Sequence, residues 1–216
     1  MYPRHPRPGS RAETAANSRS SQRTSGVWRG LRTHLRTNRP ATMKAVSPSR
    51  RIAVTGATGF VGAALARHLL EQGYRLNLLL RSGRTLPAGL DADDVTAVSG
   101  DLADSEALLR LVEDADGVVH CAGAVRGLSA AHFDAANADG THNLAMAFAA
   151  RNPGGHFIHI SSLAARHPEL SWYARSKRAA EARLYAADLS RVCVLRPPAI
   201  YGPGDREMLP LLRMLL

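Results

Sequence analysis

Cysteine is scarce in this chain. Cys121 and Cys193 are the only two among 216 residues, each near the end of an apolar run rather than in a cysteine-dense, loop-rich frame. A disulfide scaffold is therefore excluded, and a reducing, cytoplasmic setting is expected. No apolar run approaches the roughly 18 residues needed to cross a bilayer, so a membrane-spanning helix is not expected. Acidic residues are lacking at one end: the first 50 residues hold 11 Lys/Arg and one acid, Glu13. The whole net charge of +10 lies in that stretch, because positions 51–216 balance 17 basic against 17 acidic residues. The basic character of the chain thus says nothing about the ligand of its folded part.

Residues 1–50 are rich in Arg, Ser, Thr and Pro and poor in apolar side chains. Such a segment cannot bury enough surface to offset the entropy of ordering, and it is expected to be a disordered basic tail. It has no apolar core of a secretory signal. Met43 stands just before the patterned sequence, so residues 1–42 read as a non-native upstream extension or as an Arg- and Ser-rich organellar leader. A nucleic-acid-binding arm is the least favoured reading.

From residue 51 short β-rich apolar runs alternate with alanine-rich helical segments, the mark of βαβ units on a parallel sheet. Strands are predicted over 51–55, 75–80, 95–99, 117–121, 156–160 and 191–195. Helices are predicted over 60–72, 104–113, 131–150 and 172–188, with Asp104 and Ser171 as N-caps. The fold class is therefore α/β, a doubly wound parallel sheet. Right-handed crossovers place all strand carboxyl ends on one edge, where motifs distant in sequence converge.

The first strand runs into Thr55-Gly56-Ala57-Thr58-Gly59-Phe60-Val61-Gly62, glycines spaced three and three with a helical pattern following at once. Glycine permits the tight turn and lets backbone N–H groups approach a pyrophosphate at the positive end of the helix. Between a strand and a helix, this spacing points to a dinucleotide. The second strand ends without the acid that holds the ribose 2′-hydroxyl of NAD; Arg81 follows, with Arg84 after it. A guanidinium there can pair with a 2′-phosphate, so NADP is expected in preference to NAD. At the third strand end, Asp101 could accept from an adenine amino group with Leu102 against the ring, or could equally cap the next helix. The fourth strand delivers His120-Cys121-Ala122-Gly123, small residues where a cofactor passes close; no second ligand is spaced to make His120 part of a metal site.

The fifth strand ends in Ser161-Ser162, and eleven residues after Ser162 comes Tyr173-Ala174-Arg175-Ser176-Lys177. Tyrosine and lysine at i and i+4 share a helix face. Phenols ionise near pH 10, and an adjacent ammonium favours the phenolate, which suits proton transfer near neutral pH. Ser162 could orient a substrate oxygen.

With these motifs in this order, the chain resembles an extended short-chain dehydrogenase/reductase, of the NAD(P)-dependent epimerase/dehydratase family. The resemblance covers residues 51 to about 206 and includes Asn137-Ala138-Asp139-Gly140-Thr141 and Leu195-Arg196-Pro197-Pro198-Ala199-Ile200-Tyr201-Gly202-Pro203-Gly204. It implies a Rossmann domain in which Gly56, Thr58, Gly59, Phe60, Val61, Gly62, Arg81, Asp101, Leu102, Ala122, Gly123 and Pro197 hold the cofactor. Tyr173 would be the general acid/base, Lys177 would bind the nicotinamide ribose and tune Tyr173, Ser162 would hold the substrate, and Asn137 would support a proton relay. Hydride would pass between nicotinamide C4 and a carbon of a small-molecule substrate, returning to the other face in epimerases.

The interval from Ser162 to Tyr173 is shorter than in many members acting on sugar nucleotides. Met208-Leu209-Pro210-Leu211-Leu212 reads as the start of another helix, and the family's substrate-binding portion normally lies beyond such a point. A homodimer through the 131–150 and 172–188 helices is a further implication of the resemblance. A catalytically quiet dinucleotide-binding sensor or structural subunit is the alternative.

Overall fold

The computed structural model describes residues 50–90, 93–205 and 214. The chain divides into units Met1–Lys44 and Ala45–Leu216, and the first lies outside the described residues. The expected tail (Arg50 excepted) and the expected helix at Met208–Leu212 also lie outside them.

Six parallel strands form one sheet: β1 (Arg51–Thr55), β2 (Arg75–Leu80), β3 (Val95–Ser99), β4 (Gly117–His120), β5 (His156–Ile160) and β6 (Arg191–Leu195). Their order is β3-β2-β1-β4-β5-β6. The direction of winding reverses between β1 and β4, and Thr55 lies beside His120 in register there. A crevice opens at such a point beyond the strand ends.

One face is covered by α1 (Phe60–Glu71), the other by α2 (Ser105–Leu111), α4 (Gly140–Arg151) and α5 (Trp172–Ala186). Central strands covered on both faces must be apolar on both, which explains the unbroken run Leu76 to Leu80 around a single polar residue. That residue, Asn77, is buried but satisfied: its amide donates to the Leu111 carbonyl at 2.9 Å, and its oxygen accepts from Arg51 at 3.0 Å. It thereby serves one of the orphan carbonyls at the end of α2. The core on the α1 face holds Val54, Ala66, Leu76, Leu78 and Val119; the core on the other face holds Leu108, Leu144, Phe148, Phe157 and Leu184.

Both expected caps are present. Asp104 accepts from Ala107 N at 2.9 Å and Ser171 from Ala174 N at 3.1 Å. α1 ends in a left-handed Gly73 (φ 82°), with Tyr74 N donating to Leu69 O and Gly73 N to Leu70 O, the double closure that glycine permits. The helix expected over 131–150 is not uniform. It begins as α3 (Ala130–Phe133), widens to a π-helix over Asp134–Asp139 and resumes as α4. Such widening is common at functional sites, and this one carries Asn137.

Candidate functional site

The β1–α1 turn is built by close approach of backbone to backbone. Gly56 has φ 77°, and a Cβ there would stand 2.6 Å from Ala122 N. A Cβ on Gly62 would stand 2.2 Å from Gly56 O. Both positions therefore require glycine, and Gly59 N closes the turn onto Gly56 O at 2.9 Å. Gly59 is also the N-cap of α1 and offers no side chain to its N–H groups, while the first turn of α1 has no acid. An uncapped, acid-free helix start behind a glycine turn fits a pyrophosphate.

This turn forms one wall of a cleft of about 870 Å³ at the strand ends. Phe60, Val61 and Gly62 line it together with Gly123, Asn137, Ser162, Tyr173, Lys177 and Pro197. Residues that the sequence scatters over 140 positions are thus one site. Ala122 lies beneath Gly56 rather than in the cleft, and Thr58 is exposed in the turn. Arg81, exposed just after β2, and Asp101 and Leu102, after β3, stand on the same sheet edge beyond the cleft. Of the two roles left open for Asp101, the helix cap falls to Asp104. Asp101 instead closes the preceding turn, accepting from Ala103 N at 2.8 Å. Leu102 packs against Gly140 and the core.

At the floor of the cleft Lys177 is buried and donates to Ile160 O at 2.8 Å. Burial pulls its ammonium down to about 8, against an opposing attraction from Glu181 and Cys121. A Cβ on Gly123 would come within 4.0 Å of its Nζ. Tyr173, one turn earlier on α5, packs edge-to-face with Phe133. Ser162 lies at the end of β5, where its Oγ accepts from Ala164 N at 3.2 Å. Asn137 is committed to holding elements together. Its Oδ1 accepts from Ala124 N at 2.7 Å, and its Nδ2 donates to Ala124 O and to Ser176 Oγ.

Behind the cleft lies a buried polar layer that the motifs do not announce. The Ala122 N–H and the His120 ring both meet Thr55 Oγ1, at 3.3 and 2.6 Å, and His120 Nε2 meets Thr141 Oγ1 at 2.9 Å. Thr141 donates to Asn137 O, so its oxygen accepts from His120 Nε2–H and the ring is the Nε2-protonated tautomer. His159 stacks on His120 at 5.1 Å, and among the described residues neither of its ring nitrogens has a hydrogen-bond partner. Burial and then the Lys177 charge hold His159 down to about 3; burial, His159 and Lys177 hold His120 well below its ordinary value. Glu181 is likewise buried, bound to Ser161, Arg196 and Arg178. One signal for it was available: Ala174, Lys177, Glu181 and Leu184 follow the helical period of the inward face, which puts a carboxylate where an apolar residue is the rule.

The profile of the NAD dependent epimerase/dehydratase family matches residues 52–215. Ceramide reductase of Caulobacter vibrioides is 46% identical over 163 residues, 76% of this chain and 50% of that protein. The 2-alkyl-3-oxoalkanoate reductase of Stenotrophomonas maltophilia is 35% identical over 74% of this chain and 54% of its own length. The chain spans about half the length of these curated relatives. Among solved structures, WbmH of Bordetella bronchiseptica in complex with NAD+ shares the fold, with a TM-score of 0.68 and 24% identity over 77% of this chain and 62% of that one. No helix among the described residues is long and apolar enough to cross a membrane. On the match of its profile across three quarters of its residues, this chain belongs to the NAD dependent epimerase/dehydratase family.

Proposed function

We propose that this chain is the nucleotide-binding portion of an NADP-dependent oxidoreductase that interconverts a carbonyl and a hydroxyl group on an alkyl-bearing small molecule. The observation that carries the reading is the buried Lys177 ammonium, one helical turn from Tyr173, lining with Ser162 the cleft that the glycine turn opens. The glycine turn and the start of α1 would hold the pyrophosphate, and the Arg81 guanidinium the 2′-phosphate. A bound nicotinamide supplies or takes up hydride at C4.

Tyr173 gives a proton to the substrate oxygen during reduction and removes it during oxidation. In the reduction negative charge develops on the phenol oxygen, and the Lys177 ammonium stabilises it in a low-dielectric site. Ser162 orients the same substrate oxygen by hydrogen bonding. Asn137 holds the 123–124 backbone against α5, so that the cofactor wall and the reacting helix move as one. The alkyl assignment draws on the names of the two reductases above and on the apolar mouth of the cleft, where Val125, Leu163, Leu170 and Ile200 are exposed.

The test is NADPH consumption with a long-chain 2-alkyl-3-oxoalkanoate. Tyr173→Phe is expected to lower kcat by about 10²–10⁴, the usual worth of a general acid/base, with NADPH affinity unchanged. Wild-type turnover by that variant removes the assignment.

A further inference from the structure

Glu181 lies two turns beyond Tyr173 and one beyond Lys177 on α5, outside the cleft lining. Its side chain is 1% exposed. One oxygen accepts from Ser161 Oγ at 2.5 Å and from Arg196 Nε at 2.8 Å; the other accepts from Arg196 Nη2 at 2.5 Å and from Arg178 at 3.3 Å. Ser161 is the residue before Ser162 at the end of β5. Arg196 is the residue before Pro197, in the cleft wall at the end of β6. A single carboxylate thus ties the reacting helix to the two strand ends that carry the other side of the site. Burial raises the carboxyl, but the hydrogen bonds from Arg196 and Ser161 outweigh it and hold Glu181 ionised.

Buried ion pairs are poor sources of stability, since their desolvation offsets most of the attraction. A fork of this kind is better explained by the geometry it fixes. It also has an electrostatic consequence. Among the described residues, the groups whose charge couples to Lys177 are His120 on β4, Cys121 just after it, His159 on β5 and Glu181 on α5. Burial keeps both imidazoles neutral and pushes the Cys121 thiol up to about 11. At neutral pH Glu181 is therefore the charged member of that group.

We propose that Glu181 is a positioning residue for the reacting set, clamping α5 to the ends of β5 and β6 and supplying the negative charge that keeps the Lys177 ammonium in place. The proposal rests on the roles given above to Tyr173 and Lys177, but its primary test does not need turnover. Lysine occurs only at positions 44 and 177, so protein labelled with carbon-13 at lysine Cε gives two NMR signals, and Lys44 serves as an internal reference.

In the wild type the Lys177 signal should titrate near pH 8. In Glu181→Gln, with Lys44 unmoved, its proton affinity should fall about tenfold, the scale of a charge one helical turn away at an intermediate dielectric. With NADPH and a 2-alkyl-3-oxoalkanoate, kcat should fall about tenfold or more, with the KM for NADPH within about twofold. A folded Glu181→Gln whose Lys177 titrates as in the wild type overturns the electrostatic role, and wild-type kcat overturns the clamp.

Should Glu181→Gln fail to fold, Glu181→Asp carries the test. It keeps the charge and draws it away from Ser161 and Arg196, so Lys177 should titrate nearly as before while kcat falls. Wild-type kcat in that variant again overturns the clamp. Failure of the catalytic reading is a separate event, visible as full turnover by Tyr173→Phe.

Discussion

The two sides of the cleft are built from different materials. On the β1–α1 side the site is backbone: Gly56, Gly59 and Gly62 let main-chain atoms meet, and no side chain caps α1. On the β4–β5–α5 side it is side chain: Lys177, Asn137, His120 and Glu181 are buried polar groups held by specific partners. A backbone cradle tolerates no added atoms but needs no particular charge. A side-chain network needs its charges and donors held at their distances, so it fails when one is lost or drawn back. Substitutions on the two sides should therefore fail in different ways.

The largest expected effect is on the cradle. Gly62→Val places a branched side chain where even a Cβ would stand 2.2 Å from Gly56 O. The turn must open, and NADPH affinity should fall at least about a hundredfold, with a stability loss on the scale of overpacking, about 1–3 kcal/mol. Calorimetric titration with NADPH checks the first, urea unfolding the second. Near-native affinity would show that the turn gives way more cheaply than its packing implies.

Next is Arg81→Ala, beyond the cleft at the end of β2. On the proposed pairing of Arg81 with a 2′-phosphate, its loss should weaken NADPH about tenfold and leave NADH unchanged. Equal weakening of both cofactors would show that Arg81 does not read the 2′-phosphate.

On the side-chain half, the buried histidines set a pH limit on the fold. Their folded-state values lie below the ordinary 6.5, so the unfolded chain binds protons that the native state refuses. Stability is full above about 6.5 and is lost as pH falls towards the folded value of about 3 for His159. At pH 5 this one group should cost about 2 kcal/mol relative to pH 7. His159→Leu should remove that part of the acid sensitivity in urea melts, and the same pH dependence in wild type and variant would assign the loss elsewhere. The smallest effect should come from Gly73→Ala. Gly73 is left-handed like Gly56, but a Cβ there meets nothing within 4 Å, so the cost should be about 1 kcal/mol with NADPH binding intact.

The same contrast explains what was legible in the sequence. All six strands and the caps Asp104 and Ser171 could be read because parallel-strand burial and N-cap chemistry leave local signatures. The glycine turn could be read because its spacing records a steric requirement. The π-helix around Asn137 could not: the partners of its side chain, Ala124 and Ser176, lie far from it in the chain. Asp101 stayed open between an adenine contact and a helix cap because an aspartate between a strand and a helix suits either, and only the register of α2 gives the cap to Asp104. The Glu181–Arg196 fork and the His120–His159 stack join residues 15 and 39 positions apart. Nothing local in the chain records such pairings.

The most direct test of the account is a titration of this chain with NADPH in three forms: wild type, Gly62→Val and Tyr173→Phe. Saturable binding is expected of the wild type, unchanged binding of Tyr173→Phe and loss of binding of Gly62→Val. No saturable binding by the wild type, or binding that survives Gly62→Val unchanged, would contradict it.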